Sequence, residues 1–344
     1  MKTFLMLAAA AVATPPVKPA LAPSEIVAAA PAGDWVAIAP ADLLVMDLAN
    51  GKRVVIQLMP PPFSQGWIGN IRKLAAAKFW DDTSINRVQD NYVVQWGDAT
   101  EKKALPEGLA TLAEADYEAT FDKRRINDPI LHGYDLYPHI NIFDRPKFTR
   151  EFNIGTATAF ADGWPIGLRR TGISPLIVVP ASKKGEKPAL RVDELAEVGF
   201  WELEKAKIWP THCYGMVGVG RNLSPDTGTG AELYTVIGHA PRHLDRNIAL
   251  VGRVIEGMEH LSSLPRGTGG LGFYESEAER TPITSVRIGA DASDLPTFEY
   301  LNTESESFAA YADARANRRD PFFIKPAGGA DICNIPVPVR RKKA

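Results

Sequence analysis

Two apolar runs, Leu43–Ala49 (LLVMDLA) and Arg53–Met59 (RVVIQLM), flank an Asn50-Gly51 pair. Both runs are rich in residues that suit a pleated backbone, and Asn-Gly supplies the left-handed dihedrals of the tight turns that join antiparallel strands. The segment therefore predicts a β-hairpin. Further strand-like runs lie at Asn91–Trp96, Ser174–Pro180, Phe200–Ala206, Tyr214–Gly220, Glu232–Ile237, Asn247–Val254 and Thr281–Ile288. Helical spacing is confined to Trp67–Phe79, where Ile68, Ile71, Leu74 and Ala75 share a stripe, to Ile255–Leu264, to part of Leu105–Asp122 and to Thr303–Arg319. Asp81-Asp82 reads as a turn or helix cap, Ser182–Pro188 as a polar turn, and the basic end at Arg340–Lys343 as a solvated tail. Many short strands with few helices predict a mainly β barrel or sandwich, not alternating βαβ units.

Composition narrows the function classes. A formal charge of −2 gives no basic footprint for nucleic acid. No stretch reaches the roughly 18 apolar residues that a spanning helix requires. Two cysteines exclude a disulfide scaffold and a four-cysteine zinc site; Cys213 and Cys333 either pair or are separate buried thiols. The 27 prolines and 28 glycines in 344 residues imply many loops. Lys2, the apolar run Phe4–Ala13 and Ala11-Val12-Ala13 resemble a secretory signal with a small-x-small cleavage site. Residues 1–22 are thus expected to be a signal peptide and leader, and the mature protein to be exported, to the periplasm in a Gram-negative host.

Several motifs carry little chemistry. Gly215-x-x-Gly218-x-Gly220 has the wrong order for a dinucleotide loop and no helix after it, so close backbone packing is the better reading. Pro241 between His239 and His243 argues against a helical metal pair. There is no G-x-S-x-G elbow and no Ser-x-x-Lys. No metal and no cofactor is expected.

Two stretches are more informative. The first is Ile85-Asn86-Arg87-Val88, then Tyr92, then Gln95-Trp96-Gly97-Asp98. The second holds Gly215–Asn222, then Ala231-Glu232-Leu233-Tyr234, then His243–Val254, followed by Glu256-Gly257-Met258. In order and spacing they resemble the cyclophilin family of peptidyl-prolyl cis–trans isomerases. That family carries F-H-R-apolar, a phenylalanine five residues on and Q-G-G-D, then G-apolar-apolar-S-M-A-N, S-Q-F-F and W-L-D-G-x-H-V-V-F-G-x-V. The resemblance covers about residues 43–98 and 212–290.

It implies a closed eight-stranded antiparallel barrel capped by two helices, spanning 43–290. A long insertion at about 99–211 and an extension at 291–344 complete the chain. It also implies an enzyme that turns X-Pro bonds in proline-containing polypeptides during the folding of exported proteins. Arg87 is expected to donate to the twisted amide, with Gln95 orienting it. Tyr92, Val93, Leu233 and Tyr234 are expected to line the proline pocket, with His243, Leu244 and Ile248 at its rim. Gly220 and Arg221 are expected to pair with the substrate backbone. The sequence departs from the family at Glu232 (a glutamine there), at Tyr92, Leu233 and Tyr234 (phenylalanines), at His243 (tryptophan) and at Ile248 (histidine). A carboxylate at 232 is expected to pair with Arg87, either aligning or occupying it, and activity on short peptides is expected to be slow. The alternative is a catalytically weak barrel serving as a binding or chaperone module.

Overall fold

A computed structural model describes residues 19–49, 51–120, 156–169 and 207–342. The signal-like segment, Asn50 and the runs expected at Ser174–Pro180, Ser182–Pro188 and Phe200–Ala206 lie outside these residues. Helix α1 (Pro23–Ala29) precedes strand β1 (Trp35–Ile38), followed by β2 (Leu43–Leu48) and β3 (Arg53–Leu58), then α2 (Gln65–Ala76). Next come β4 (Ser84–Val88), β5 (Val93–Gly97), β6 (Ala119–Thr120), β7 (Thr156–Ala161), β8 (Trp164–Arg169) and β9 (Lys207–Pro210). The chain continues with β10 (Met216–Val219), β11 (Leu233–Val236), β12 (Leu250–Glu256), α3 (Met258–Ser262) and β13 (Thr281–Ile288), and ends with β14 (Phe298–Leu301), α4 (Glu306–Ala316) and β15 (Val339–Arg341).

Eight strands close into an antiparallel barrel in the order β10-β11-β5-β4-β13-β2-β3-β12. Closure leaves no strand edge within the barrel exposed. The expected hairpin forms from β2 and β3: Leu48 N–H donates to Lys52 O at 2.9 Å and Gly51 sits at φ 75°. The apolar stripe of α2 buries Trp67, Ile68, Ile71, Leu74 and Ala75. Its Trp67 Nε1–H donates to Gly228 O at 3.0 Å, pinning the loop before β11.

Several expectations need correction. The helical part of residues 105–120 is limited to one turn, Glu114–Tyr117, and Pro106 and Gly108 keep the start of the segment out of a helix. Residues 105–113 instead run beside α2, held by Asn70, whose side chain accepts from Ala110 N–H at 2.7 Å and donates to Ala110 O at 2.9 Å. The helix expected at Ile255–Leu264 shortens to α3, because β12 runs on to Glu256 and Gly257 breaks it at φ 82°. The basic end is ordered in a strand at Arg340 and Arg341, with Arg340 half-buried while Arg341 stays exposed as expected. They lie in β15, which pairs with β14. There Arg340 lies over the Trp35 ring at 3.6 Å and pairs with Glu299 at 2.6 Å.

The parts outside the barrel share its core. Strands β6-β9-β8-β7 form a four-stranded sheet and β1-β14-β15 a three-stranded one. Phe160, Trp164 and Ile166 from the first, Phe308 and Tyr311 from α4, and Ile332 and Ile335 belong to one apolar cluster with the barrel residues. Cys213 and Cys333 form a disulfide, with Cα atoms 5.0 Å apart.

Arg253 on β12 is the polar junction of these parts. It is buried with no carboxylate partner among the described residues and donates to Gln57 Oε1 (3.0 and 2.8 Å) and to Gly163 O (2.7 Å). Its guanidinium lies 4.4 Å from the Trp164 ring centre and 5.8 Å from that of Tyr300. Burial pulls its pKa down to about 10, so it stays charged at neutral pH. Arg253→Met keeps the apolar stem but leaves two buried oxygens unpaired and removes the cation over the rings. A loss of about 2–3 kcal/mol is expected in urea unfolding; an unchanged midpoint would show that the junction contributes nothing.

Candidate active site

Strands β4 and β5 place Arg87 directly across from Gln95, after a register shift between Ile85 and Arg87. Three of the five guanidinium N–H groups are engaged. Nε–H donates to Leu271 O at 2.8 Å, Nη1–H to Gln95 Oε1 at 3.1 Å, and Nη2–H to Gln89 Oε1. The rings of Tyr92 and Phe273 flank the guanidinium, at 5.8 and 5.3 Å from its carbon. The loop bearing Leu271 and Phe273 is docked on β4 by Gly267 N–H to Val88 O (2.9 Å) and Tyr274 N–H to Asn86 O (3.0 Å). Gly272 (φ 80°) permits this approach, since a Cβ there would fall 2.7 Å from Gln89 Cα. Arg87 is therefore fixed in direction, and two of its N–H groups have no acceptor among the described residues. Partial burial lowers its pKa from the usual arginine value.

An apolar patch lies beside it. Strand β11 pairs with β5 in the register Tyr234–Gln95 and Val236–Val93. Alternation along a strand puts these four side chains on the same outer face. Val93, Tyr234 and Val236 form a buried cluster against which Tyr92 and Ile248 pack. The Tyr92 and His243 rings stack at 6.5 Å, extending the rim. Leu244, half-buried, belongs to the same helical turn as His243.

Leu233 is not part of this pocket. It is fully buried in the barrel core, on the opposite face of β11 from Tyr234. Gly220 donates its N–H to Glu232 O at 2.8 Å, so that donor is already taken by the residue preceding β11. Arg221 turns its guanidinium onto Asn247 O (2.9 Å) and Asn222 O (2.6 Å), bracing the 242–248 turn. Gly218 and Gly220 sit where a Cβ would overlap Tyr234 and crowd Glu232, in keeping with the close-packing reading of the glycine motif.

Glu232 contacts Gln95, not Arg87. Gln95 Nε2–H donates to Glu232 Oε2 at 3.3 Å while its carbonyl oxygen accepts from Arg87, so the carboxyl acts on the guanidinium only through the amide. The expected direct ion pair fails because Gln95 lies between the two on the strand face. Burial, with Asp98 and Glu101 nearby, pushes Glu232 up to about 7, against hydrogen bonds from Gln95 and Asn86. At neutral pH much of it is the neutral acid, which resembles the glutamine it replaces.

Unfolded, Glu232 ionises near 4.5; folded, it ionises near 7. Between those values the folded state holds the extra proton, so stability falls as pH rises through this window. Glu232→Gln removes the titration. It is expected to gain on the parent by roughly 1–3 kcal/mol at pH 8 relative to pH 4. Thermal unfolding of both proteins at the two pH values checks this, and an equal difference at both would contradict it.

Gln89, Leu271 and Phe273 were not anticipated. Gln89 had a legible signal, being two residues from Arg87. Leu271 and Phe273 had none, because they reach the site across 184 and 186 residues.

A model of the family described as cyclophilin type peptidyl-prolyl cis-trans isomerase/CLD matches residues 52–289, well over half of the chain. Among solved structures, the chain is similar to the cyclophilin AquaCyp293 from Hirschia baltica. The TM-score is 0.61 and the identity 20%, over 90% of this chain and 95% of that one. A cyclophilin-type isomerase of Cryptosporidium parvum, crystallised in the presence of the dipeptide Ala-Pro, has a TM-score of 0.36 and 10% identity, over 72% of this chain and 98% of that one. No curated protein matches the sequence. The family match agrees with the eight-stranded closed barrel, and the chain belongs to the cyclophilin-type peptidyl-prolyl cis–trans isomerases.

Proposed function

We propose that this isomerase turns X-Pro bonds by stabilising the twisted amide through Arg87. A planar amide resists rotation by about 18–20 kcal/mol because nitrogen shares its lone pair with the carbonyl. On twisting, the lone pair localises and the proline nitrogen becomes a hydrogen-bond acceptor. A donor fixed at that position binds the twisted state more tightly than either planar form, which is what lowers the barrier. The observation that carries this reading is the anchored Arg87, with two N–H groups without an acceptor among the described residues, beside the apolar patch of Tyr92, Val93, Tyr234 and Ile248. Gln95 and Glu232 set the guanidinium's direction, His243 and Leu244 form the rim, and Arg221 holds the facing turn. Comparing isomerisation of a proline tetrapeptide by the parent and by Arg87→Ala tests this.

On the same reading, residues 43–290 are the isomerase domain, with an insertion at about 99–211 and an extension at 291–344. The protein is exported and acts on proline-containing chains as they fold. The Cys213–Cys333 disulfide supports export, because such bonds persist in oxidising compartments. The second reading, a binding module, draws on the exposed Phe322 and Ile324 in the extension (84% and 95% accessible). Refolding assistance that survives Arg87→Ala would favour it.

A further inference from the structure

The pocket wall contains a hydroxyl that points away from the substrate face. Tyr234 is buried, and its O–H donates to His212 Nε2 at 2.8 Å. His212 is itself fully buried, its ring nearly coplanar with that of Tyr234 (11° between planes, centroids 6.3 Å apart), so the two meet edge to edge through the hydrogen bond. Its Nδ1–H donates to Asp245 Oδ1 at 2.9 Å. Asp245 also accepts the His212 backbone N–H at 2.8 Å and Arg242 Nε–H at 2.6 Å. An ionised carboxylate only accepts, so Asp245 fixes the proton on Nδ1 and leaves Nε2 as the acceptor that the tyrosine needs. Burial lowers the His212 pKa and keeps the ring neutral.

The far end of this chain of bonds belongs to the C-terminal extension. Arg242 lies 3.6 Å from Asp331. Asp331 caps the turn at Ile332–Asn334 by accepting from Cys333 N–H at 2.8 Å. Cys333 is bonded to Cys213, the residue next to His212. The Tyr234 hydroxyl also requires Gly218, because any Cβ there would overlap it. Gly218, Tyr234 and His212 are thus one matched set.

We propose that His212 is a positioning residue for the isomerase: through the Tyr234 hydroxyl it fixes the wall of the proline pocket, and the disulfide-linked extension holds His212 in place. The inference rests on the isomerase reading. A pocket wall that binds planar and twisted proline alike affects KM, whereas Arg87 affects kcat.

The test measures kcat and KM on a proline tetrapeptide, and peptide affinity by titration, for Tyr234→Phe, His212→Phe and the double variant in the full chain. Tyr234→Phe removes a single oxygen and so leaves the packing volume intact. Tyr234→Phe is expected to raise KM and the dissociation constant about three- to tenfold, with kcat within about twofold, as loss of one neutral hydrogen bond implies; His212→Phe, which also strips the Asp245 carboxylate of the Nδ1–H donor, is expected to raise them at least as much. The double variant is expected to do no more than His212→Phe alone, because the Tyr234 hydroxyl acts only through His212 and has no bond left to lose. Unchanged KM and affinity in Tyr234→Phe, or single effects that multiply in the double variant, would overturn the proposal. An inactive parent would overturn the isomerase reading alone, since the affinity comparison stands without catalysis.

Discussion

Arg87→Ala is expected to lower kcat/KM on an X-Pro peptide by roughly 30- to 1,000-fold, the range for losing one preorganised donor of about 2–4 kcal/mol. The loss should fall mainly on kcat, because the donor is matched to a nitrogen lone pair that localises only in the twisted amide. The anchoring bonds to Leu271, Gln95 and Gln89 make the guanidinium rigid before substrate arrives, so little reorganisation accompanies the reaction. Arg87→Lys should recover only part of the rate. An ammonium keeps the charge but cannot hold several neighbours in one plane while donating forward. The fold should be unaffected, since Arg87 is half-buried at the barrel's outer face. Kinetics and a thermal melt on the same preparations check both statements. Equal loss in kcat/KM and in melting temperature would mean that Arg87 is structural.

Removing the disulfide by Cys213→Ser with Cys333→Ser is expected to cost about 3–5 kcal/mol of stability. The bond closes a loop of 120 residues, so its absence returns much chain entropy to the unfolded state. It also anchors the segment bearing Ile332 and Ile335, which complete the core beyond the barrel. The check is urea unfolding of parent and variant under non-reducing conditions, together with amide exchange at residues 331–335. A change below about 1 kcal/mol, with protection kept there, would show that packing alone holds the extension.

The barrel was largely legible because its information is local. Asn-Gly between two apolar runs, strand-length apolar segments and a few spaced motifs suffice to order the strands. The faces of β11 were also legible in principle. Alternation separates Glu232, Tyr234 and Val236 from Leu233 and Thr235, and following the family's paired aromatics over that parity misplaced Leu233. Contacts set by closure were not legible. That Gln95 stands between Glu232 and Arg87 depends on the β4–β5–β11 register. That His212 meets Tyr234 and Asp245 depends on bringing together residues 22 and 33 positions away. The basic C-terminus read as solvated because its partners, Glu299 and Trp35, come from distant strands.

The central claim is that a fixed guanidinium beside an apolar pocket turns X-Pro bonds. It is tested most directly by the cis-to-trans rate of an Ala-Pro tetrapeptide with the parent protein and with Arg87→Ala, each over a range of protein concentration. The uncatalysed reaction takes tens to hundreds of seconds. The parent should accelerate it in proportion to protein concentration, and Arg87→Ala should return it to near the uncatalysed rate. A parent rate equal to the uncatalysed one, or equal acceleration by the two proteins, would contradict the account.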